Sequence, residues 1–427
     1  MGGLSSFLCI SLLPSSVFYY ASAEEDLLLS DIDHYVYKED YCFTPGCIKA
    51  AATYLEMMNQ NEDPCEDFYE FACGNFLEET MIPDHKVMIG SHISLDDKLN
   101  ERLRKIFEED SKDNEPAIFS SVRKLYSSCM DTNLLDQEGS AVILNIIEEI
   151  GGWPVLQGDN WYPDEFDWQK VSVKASRIGL GRSNIFPVDI TPSHDNSSQR
   201  IIEISLSHLN MRREFFLKGF DDPNFQAYVK YMISTAVHLG ADEQEANQEL
   251  EQVLEFEIKL AEMSLSVDDM RNHSIIHNKM TILEASKIFP GFNLLDYIND
   301  IIDNEDFILE ENEIVNVASP KYYRELRDYL KNVPKRVIAN YVIWCYVAFT
   351  MQYSGIEGLD ILHDFQKHIL GHLDTPSRWK TCVSVITADN MFHQEGSLAN
   401  AVGSMYVREH FNQEQKNVAS QIVENIK

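Results

Sequence analysis

The 13 histidines are the residues most able to do chemistry in this sequence, because imidazole binds zinc and moves protons near neutral pH. Two pairs have the four-residue spacing that places both rings on one side of a helix: His273 with His277, and His368 with His372. Neither pair has a glutamate after its first histidine, so H-E-x-x-H is absent. We expect surface or capping roles for both pairs. A metal site is the less favoured alternative, and His363, about one turn before His368, raises it slightly for the second pair.

Other motifs of catalysis are also missing from the sequence. It contains no P-loop, no G-x-G-x-x-G, no G-x-S-x-G and no C-x-x-C. The inverse motif H-x-x-E-H fails at Glu409-His410, because Tyr406 stands where the first histidine would be. The residues alone therefore indicate no catalytic site, no metal site and no bound cofactor in this chain.

The amino terminus has the layout of a secretory signal peptide. An apolar stretch from Leu4 to Leu13 is followed by the small-residue triplet Ala21-Ser22-Ala23, and it is shorter than the ~20 residues that span a bilayer. This pattern predicts a signal peptide over residues 1–23 and a secreted, extracellular protein. Retention at the plasma membrane by an uncleaved anchor is the alternative, because no Lys or Arg precedes the apolar stretch.

Cysteine usage fits an oxidising compartment, where thiols form a disulfide framework. With Cys9 in the signal peptide, the cysteines that remain are Cys42, Cys47, Cys65, Cys73, Cys129, Cys345 and Cys382. Their number is odd, so at least one is left over. Cys65 and Cys73 cannot bond to each other, because eight residues of helix separate their Cα atoms by about 12 Å, and a disulfide needs less than about 7 Å. Cys345, inside an apolar run, is expected to be a buried thiol.

Two sequons for N-glycosylation gain meaning from the predicted secretion. They begin at Asn196 and at Asn272. We therefore expect glycans at both positions.

The charge balance restricts the partners. The chain has 35 Lys and Arg against 69 Asp and Glu, a formal net charge of −34. Nucleic acids and anionic membrane surfaces would be repelled, so neither is an expected partner. A solvated surface that keeps a secreted protein soluble is the favoured interpretation.

Helical periodicity dominates the chain, so the sequence predicts a mainly α fold with a compact architecture. Segments with this periodicity are Ala141 to Ile150, Phe225 to Gly240, Ala241 to Met263, Thr281 to Ile288, Leu294 to Asp303, Pro320 to Lys331, Pro334 to Gln352, and Leu398 to Asn425. One exception is a pair of short β-rich runs, Ser183 to Asp189 and Gln199 to Ser205, separated by turn formers. They predict a small β-hairpin whose tip carries Asn196.

The residues around the cysteines carry the clearest resemblance to a known family. Residues 42–47 read C-F-T-P-G-C, and residues 63–76 read D-P-C-E-D-F-Y-E-F-A-C-G-N-F. These motifs are similar to the opening of the neprilysin and endothelin-converting-enzyme family of zinc metalloendopeptidases, peptidase family M13. Further matches extend the resemblance over nearly all of the mature chain: S-S-C-M-D ending at Asp131, G-G-W-P-V from Gly151, N-K-M-T from Asn278, and A-V-G-S-M-Y-V from Ala401.

This resemblance implies the fold of an M13 amino-terminal domain, a multi-helix lid over a peptide chamber. It implies that residues 24–427 form that domain, with 42–110 packing on a catalytic lobe and 111–427 forming the helical lid. In full-length members the thermolysin-like catalytic lobe follows, with H-E-x-x-H, E-x-x-x-D and an N-A-Y-type motif, and it holds the zinc. None of these motifs occurs in the 427 residues. We therefore expect this chain to be inactive by itself.

The resemblance also implies cysteine pairings. It pairs Cys42 with Cys47, and Cys129 with Cys382. Cys65 and Cys73 would reach cysteines of the catalytic lobe, so both are expected to be unpaired within this chain or to join it to a second chain.

One substrate-binding feature departs from the family. An arginine beyond the Ile-Pro that follows the first cysteine-rich helix helps neprilysin-type members to hold a substrate carboxylate. Counting from Ile82-Pro83 places Met88 there, and a thioether cannot form that ion pair. A loop shift of a few residues would bring in Lys86 instead. The substrate-binding residues therefore stay open.

Two function classes follow. The first is the amino-terminal portion of a secreted M13 metalloendopeptidase that restricts access to the peptide chamber. The second is a stand-alone, secreted, non-catalytic relative that binds peptides or pairs with a full-length enzyme. The first is favoured.

Overall fold

A computed structural model describes residues 42–112, 114–181, 185–371, 374–387 and 398–426. The predicted signal peptide, Ser183 and His372 lie outside the described residues. The chain divides into two compact units, the first ending at Arg102 and the second beginning at Leu103. No Pro, Gly or polar tract marks this division in the sequence. The resemblance implied a different subdivision, in which residues 42–110 pack on a catalytic lobe and residues 111–427 form the lid. That subdivision stays a prediction.

Helices dominate the described residues, which confirms the mainly α prediction. They are α1 Pro45–Met57, α2 Phe68–Glu79, α3 Ser91–Glu108, α4 Ala117–Met130, α5 Thr132–Ile150, α6 Pro154–Gln157, α7 Trp168–Arg177, α8 Arg213–Lys218, α9 Pro223–His238, α10 Glu243–Met263, α11 Val267–Met270, α12 His273–Ile276, α13 Ile282–Ser286, α14 Leu294–Ile302, α15 Pro320–Leu330, α16 Lys335–Thr350, α17 Ile356–Leu370, α18 Arg378–Thr387, α19 Ala399–His410 and α20 Gln413–Ile426. The segment predicted as one helix from Leu398 to Asn425 is two helices. Its break is at Asn412, whose side-chain oxygen accepts a hydrogen bond from the Gln415 backbone N–H at 2.9 Å and so begins a new helix.

The strands are β1 Val188–Pro192, β2 Arg200–Ile204, β3 Lys279–Thr281 and β4 Ile314–Val317. They form a sheet in the order β1-β2-β4-β3. The predicted hairpin is present as the antiparallel pair β1–β2, with Ile190 opposite Ile202. The sheet is larger than that hairpin, because β2 also pairs in parallel with β4, and β4 pairs antiparallel with β3. Strands of three or four residues are too short to show a period of two, so the sequence did not predict them.

The first unit contains a pair of helices, α1 and α2, that a short turn joins. Thr44 caps α1 and Asp67 caps α2, each through a side-chain oxygen. The disulfide Cys42–Cys47 closes the start of α1. In the turn, the Asn75 side chain donates a hydrogen bond to the Met58 carbonyl at 2.7 Å. Capping and turn contacts therefore explain most polar positions of the D-P-C-E-D-F-Y-E-F-A-C-G-N-F segment.

Gly74 allows α2 to approach this turn closely. The Asn59 backbone N–H donates to the Phe71 carbonyl at 2.9 Å, and its side chain donates to Glu70 at 3.1 Å. A Cβ on Gly74 would lie 2.9 Å from the Asn59 Cβ and closer still to the Glu70 carboxylate. Real Cβ atoms do not come this near, so Gly74 is required by the packing.

The second unit is organised around α16. Every residue from Val337 to Thr350 is buried, and α5, α6, α7 and α10 are among the helices that contact this one. A smaller core lies between α4, α18 and α19 and includes Phe119, Tyr126 and Met405. The buried disulfide Cys129–Cys382 joins α4 to α18 within it.

A hydrogen-bonded network lies inside the large core. The Glu257 carboxyl is fully buried and accepts hydrogen bonds from the Tyr228 hydroxyl and the Asn210 amide, each at 2.9 Å. Trp344 donates its indole N–H to the same Tyr228 oxygen at 2.6 Å. The Asn210 amide also donates to the Cys345 sulfur at 3.3 Å. Cys345 is the buried thiol that the sequence predicted.

Burial raises the pKa of the Glu257 carboxyl to about 8, against the opposing effect of its hydrogen bonds. This group is therefore neutral at pH 7 and holds its proton more tightly in the folded protein than in the unfolded chain.

The packing at Gly74 yields a stability prediction. Gly74→Ala should displace Glu70 and destabilise the first unit by about 1–3 kcal/mol, because overpacked sites cost this much. Gly90→Ala is the matched control, because nothing lies within 4 Å of the added Cβ. Hydrogen exchange of the α1 and α2 amides measures the effect. Equal protection in both variants would contradict the prediction.

The buried carboxyl at Glu257 yields a pH prediction. Its folded-state pKa lies above its unfolded value of about 4.5, so its contribution to stability is present below pH 4.5 and is lost as the pH rises towards 8. Glu257→Gln should remove a decline of about 4 kcal/mol in the free energy of unfolding over this range. Urea denaturation at pH 5 and pH 8 measures it. Glu251→Gln, an exposed position of the same helix, should keep the decline, and a decline retained in Glu257→Gln would contradict the prediction.

Candidate functional site

The first unit carries large apolar side chains in water. Met81 is 89% exposed and Phe43 is 80% exposed. All of α1 is described and none of its residues is buried, although Ile48 and Leu55, two turns apart, share one side of it. The exposed apolar residues of this unit are Phe43, Ile48, Leu55, Leu77, Met81, Ile82, Val87, Met88, Leu95 and Leu99. We call this set, which is defined by exposure alone, the first apolar surface.

The second unit has a comparable feature at its last helix. All of α20 is described, and none of its residues is buried. Val418, Ile422 and Ile426 are spaced by four residues and so form one stripe, which Val423 widens. Ile426 is 80% exposed. An isolated helix of this length is marginal in water, so this second apolar surface has the pattern of a helix that packs against another surface.

The cysteines have three different environments. Both disulfides that the resemblance implied, Cys42–Cys47 and Cys129–Cys382, are present. Cys65 is an exposed thiol in the turn before α2, where its backbone N–H donates to the Asp63 carboxylate at 2.8 Å.

Cys73, by contrast, is disulfide-bonded and 1% exposed. The prediction that Cys73 is unpaired within the chain is therefore wrong. The resemblance, and not the helix distance, assigned Cys73 a partner in a catalytic lobe. Cys65 lies before α2, so the predicted run of helix between the two cysteines is also shorter than expected.

The two positions considered for a substrate carboxylate differ in charge and in contacts. Met88 is half-exposed and carries no charge. The Lys86 ammonium forms an ion pair with the Asp97 carboxylate, so its charge is already compensated. A substrate role for Lys86 through a loop shift stays a prediction, and Met88 has no charge to offer a carboxylate.

The predicted histidine pairs also differ. His372 lies outside the described residues, so the second pair is described only at His368, on α17, with His363 one turn before it. Burial lowers the pKa of the half-buried His363.

A third histidine, His194, lies beside the first pair, and the sequence did not predict this contact. The ring centroids of His273 and His277 are 4.7 Å apart, and the His194 ring lies 3.9 Å from that of His277. His194 comes from the hairpin tip, 79 positions earlier than His273, and no local pattern could connect them. Across the part of the chain that the structure describes, no group of three or more His, Cys, Asp or Glu side chains is arranged to hold a metal ion. The described residues therefore do not fit a zinc ion.

Both sequon asparagines are exposed. The Asn196 side-chain oxygen accepts from the Ser198 backbone N–H at 3.1 Å, and the Asn272 oxygen accepts from Ser274 N–H at 3.1 Å. These turns use the amide oxygen and not the nitrogen that a glycan modifies. Glycosylation of both residues stays a prediction.

Within the described ranges, none of the helices combines the length and apolarity needed to cross a membrane.

Comparison with known proteins places these features in a family. A model described as peptidase family M13 matches residues 64–427. Neprilysin-2 of Drosophila melanogaster is 35% identical over 392 residues, which are 91% of this chain and 50% of that protein. Membrane metallo-endopeptidase-like 1 of Homo sapiens is 28% identical over 400 residues, again 91% of this chain and 50% of the relative. The chain thus spans about half the length of the curated relatives it matches.

Solved structures show the same fold. The zinc metalloprotease ZMP1 of Mycobacterium tuberculosis, in complex with an inhibitor, superposes with a TM-score of 0.67 at 17% identity, over 85% of this chain and 53% of that one. PEPO of Lactobacillus rhamnosis superposes with a TM-score of 0.66 at 13% identity, over 86% of this chain and 54% of that one. With the family model matching most of its length, this chain belongs to peptidase family M13, in which it corresponds to the amino-terminal domain.

Proposed function

We propose that this chain is the amino-terminal portion of a secreted, glycosylated, neprilysin-like zinc metalloendopeptidase, and that it restricts access to the peptide chamber without being catalytic by itself. Family membership supports the reaction class, which is peptide hydrolysis. The lack of H-E-x-x-H supports a non-catalytic role for this chain. The water-activating carboxylate and the zinc ligands would then belong to another part of the enzyme.

The first apolar surface is the observation that carries this proposal. Exposed apolar side chains occur on α1 and α2 and over residues 81–99, and only Cys73 and Gly74 are buried in the two helices. Such exposure indicates a surface that packs against another protein surface. The curated relatives are about twice as long as the matched region. The occupant that accounts for both facts is the remaining half of an M13 polypeptide, which would cover residues 42–110 while 111–427 form the lid.

Cys65 fits the same arrangement. Its thiol is exposed in the turn before α2, and α2 belongs to the same unit as the first apolar surface. A cysteine of the remaining half could form a disulfide with it, within the geometric limits of such a bond.

A direct test uses residues 24–427 expressed alone. Hydrolysis by this family's route needs three protein ligands on zinc, one open position for water, and a carboxylate base. The described residues offer no such group, so the dialysed protein should hold far less than stoichiometric zinc and should not cleave a fluorogenic peptide. Elemental analysis and the peptidase assay make the two measurements.

A chain extended by an M13 catalytic portion is the matched control and should gain both properties. Stoichiometric zinc with chelator-sensitive turnover in residues 24–427 alone would refute the proposal. Tight peptide binding without hydrolysis, in a protein that never carries a catalytic portion, would instead identify a stand-alone binding relative.

A further inference from the structure

Three histidines from two distant parts of the second unit meet at the tip of the β1–β2 hairpin. His194 lies just beyond β1, while His273 and His277 lie on and after α12, immediately before β3. The His194 ring centroid is 3.9 Å from that of His277 and 6.0 Å from that of His273. We call these three residues the histidine cluster.

The same tip is held at β3 by Lys279. Its ammonium donates to the Ser193 hydroxyl at 3.1 Å and to the Asp195 carboxylate at 2.5 Å. Lys279 holds the pKa of Asp195 below its usual value. The tip residues 193–195 therefore contact the corner between α12 and β3 on both sides of His194.

Charged groups surround the cluster. The Lys279 ammonium faces the Asp195 carboxylate. Glu203 of β2 is the other acid that acts on His194, and Asp189 of β1 acts in turn on Glu203.

A proton on His277 would add a positive charge that Lys279 disfavours and that the Asp195 carboxylate favours. Burial raises the pKa of Glu203, so this acid loses its negative charge early as the pH falls. Repulsion among the imidazolium groups and Lys279 then opposes the contact.

The surroundings of His277 disfavour a proton on its ring. Its Nε2 atom is buried and makes no hydrogen bond among the described residues, so a protonated Nε2–H would have no acceptor. Burial, followed by His194 and His273, lowers its pKa. The contact therefore favours the neutral ring.

We propose that the histidine cluster is a pH-sensitive clamp that holds the hairpin tip on the α12–β3 corner at neutral pH and releases it in an acidic compartment. The clamp lies between Asn196 and Asn272, so a glycan at Asn196 would move with the tip. The proposal does not depend on peptidase activity or on a second half of the protein.

The direction of the effect follows from linkage. A histidine whose pKa is lower in the closed state than in the open state stabilises the closed state above its open-state pKa. That stabilisation begins to decline as the pH falls below about 6.5, the open-state value, and is lost as the pH falls through the lower closed-state value. Each unit of difference in pKa shifts the ratio of open to closed tip by about tenfold once the pH is below both values.

Hydrogen exchange of the 427-residue chain at pH 7.4 and pH 5.0 tests the clamp, after correction for the intrinsic pH dependence of exchange. The reporters are the tip amides of Ser193 and Gln199, which donate within the tip at 2.8 and 2.9 Å. Their corrected exchange should rise about tenfold at pH 5.0. In the double variant His194→Gln/His273→Gln the rise should fall below about twofold, because the like charges are removed.

His277→Gln alone is a second variant and should reduce the same rise. His410→Gln, on α19, is the matched control and should leave it unchanged. Far-UV circular dichroism at both pH values establishes that each variant is folded. The proposal is overturned if the wild-type tip exchanges equally at both pH values, or if the double variant keeps the full rise.

Discussion

Complete burial of α16 is the constraint on which the second unit depends. A helix that is apolar on every side must be surrounded by other elements, because each exposed turn would leave apolar surface in water. Two polar side chains that it takes into the core, Asn340 and Trp344, have hydrogen-bond partners. Asn340 accepts from the Val155 backbone N–H at 3.0 Å and donates to Glu249 at 2.8 Å. Trp344 donates into the Tyr228–Glu257 network. The surrounding helices are therefore positioned by hydrogen bonds as well as by packing.

The helices α1 and α20 show the opposite condition. Each carries apolar side chains at helical spacing, and each is fully described without one buried residue. Apolar faces are unfavourable in water. Around α16, neighbouring helices of the same chain bury the apolar surface. The contrast supports the proposal that these faces pack against the second half of an M13 enzyme. The same contrast agrees with the proposed role of framework and lid.

The sequence predicted best where the signal is local. Periodicity gave most helices, turn formers gave the β1–β2 hairpin, and the cysteine contexts gave the family and two disulfides. It predicted poorly where the cause is distant in the chain. Strands β3 and β4 exist because β2 offers an edge to β4, and three or four residues cannot signal that pairing. The approach of His194 to His277 depends on the same sheet. The assignment of Cys73 came from the resemblance alone, and no local feature of the sequence indicates the partner of a single cysteine.

Reading the transcript through and beyond codon 427 tests the central claim most directly. The account predicts an open reading frame that continues for roughly the length of the matched half, since the chain covers 50% of its Drosophila melanogaster relative, and that encodes H-E-x-x-H followed by E-x-x-x-D. It also predicts a further cysteine there that bonds to Cys65. A stop codon directly after Lys427 in the mature transcript, with a secreted protein of only this length, would contradict the account.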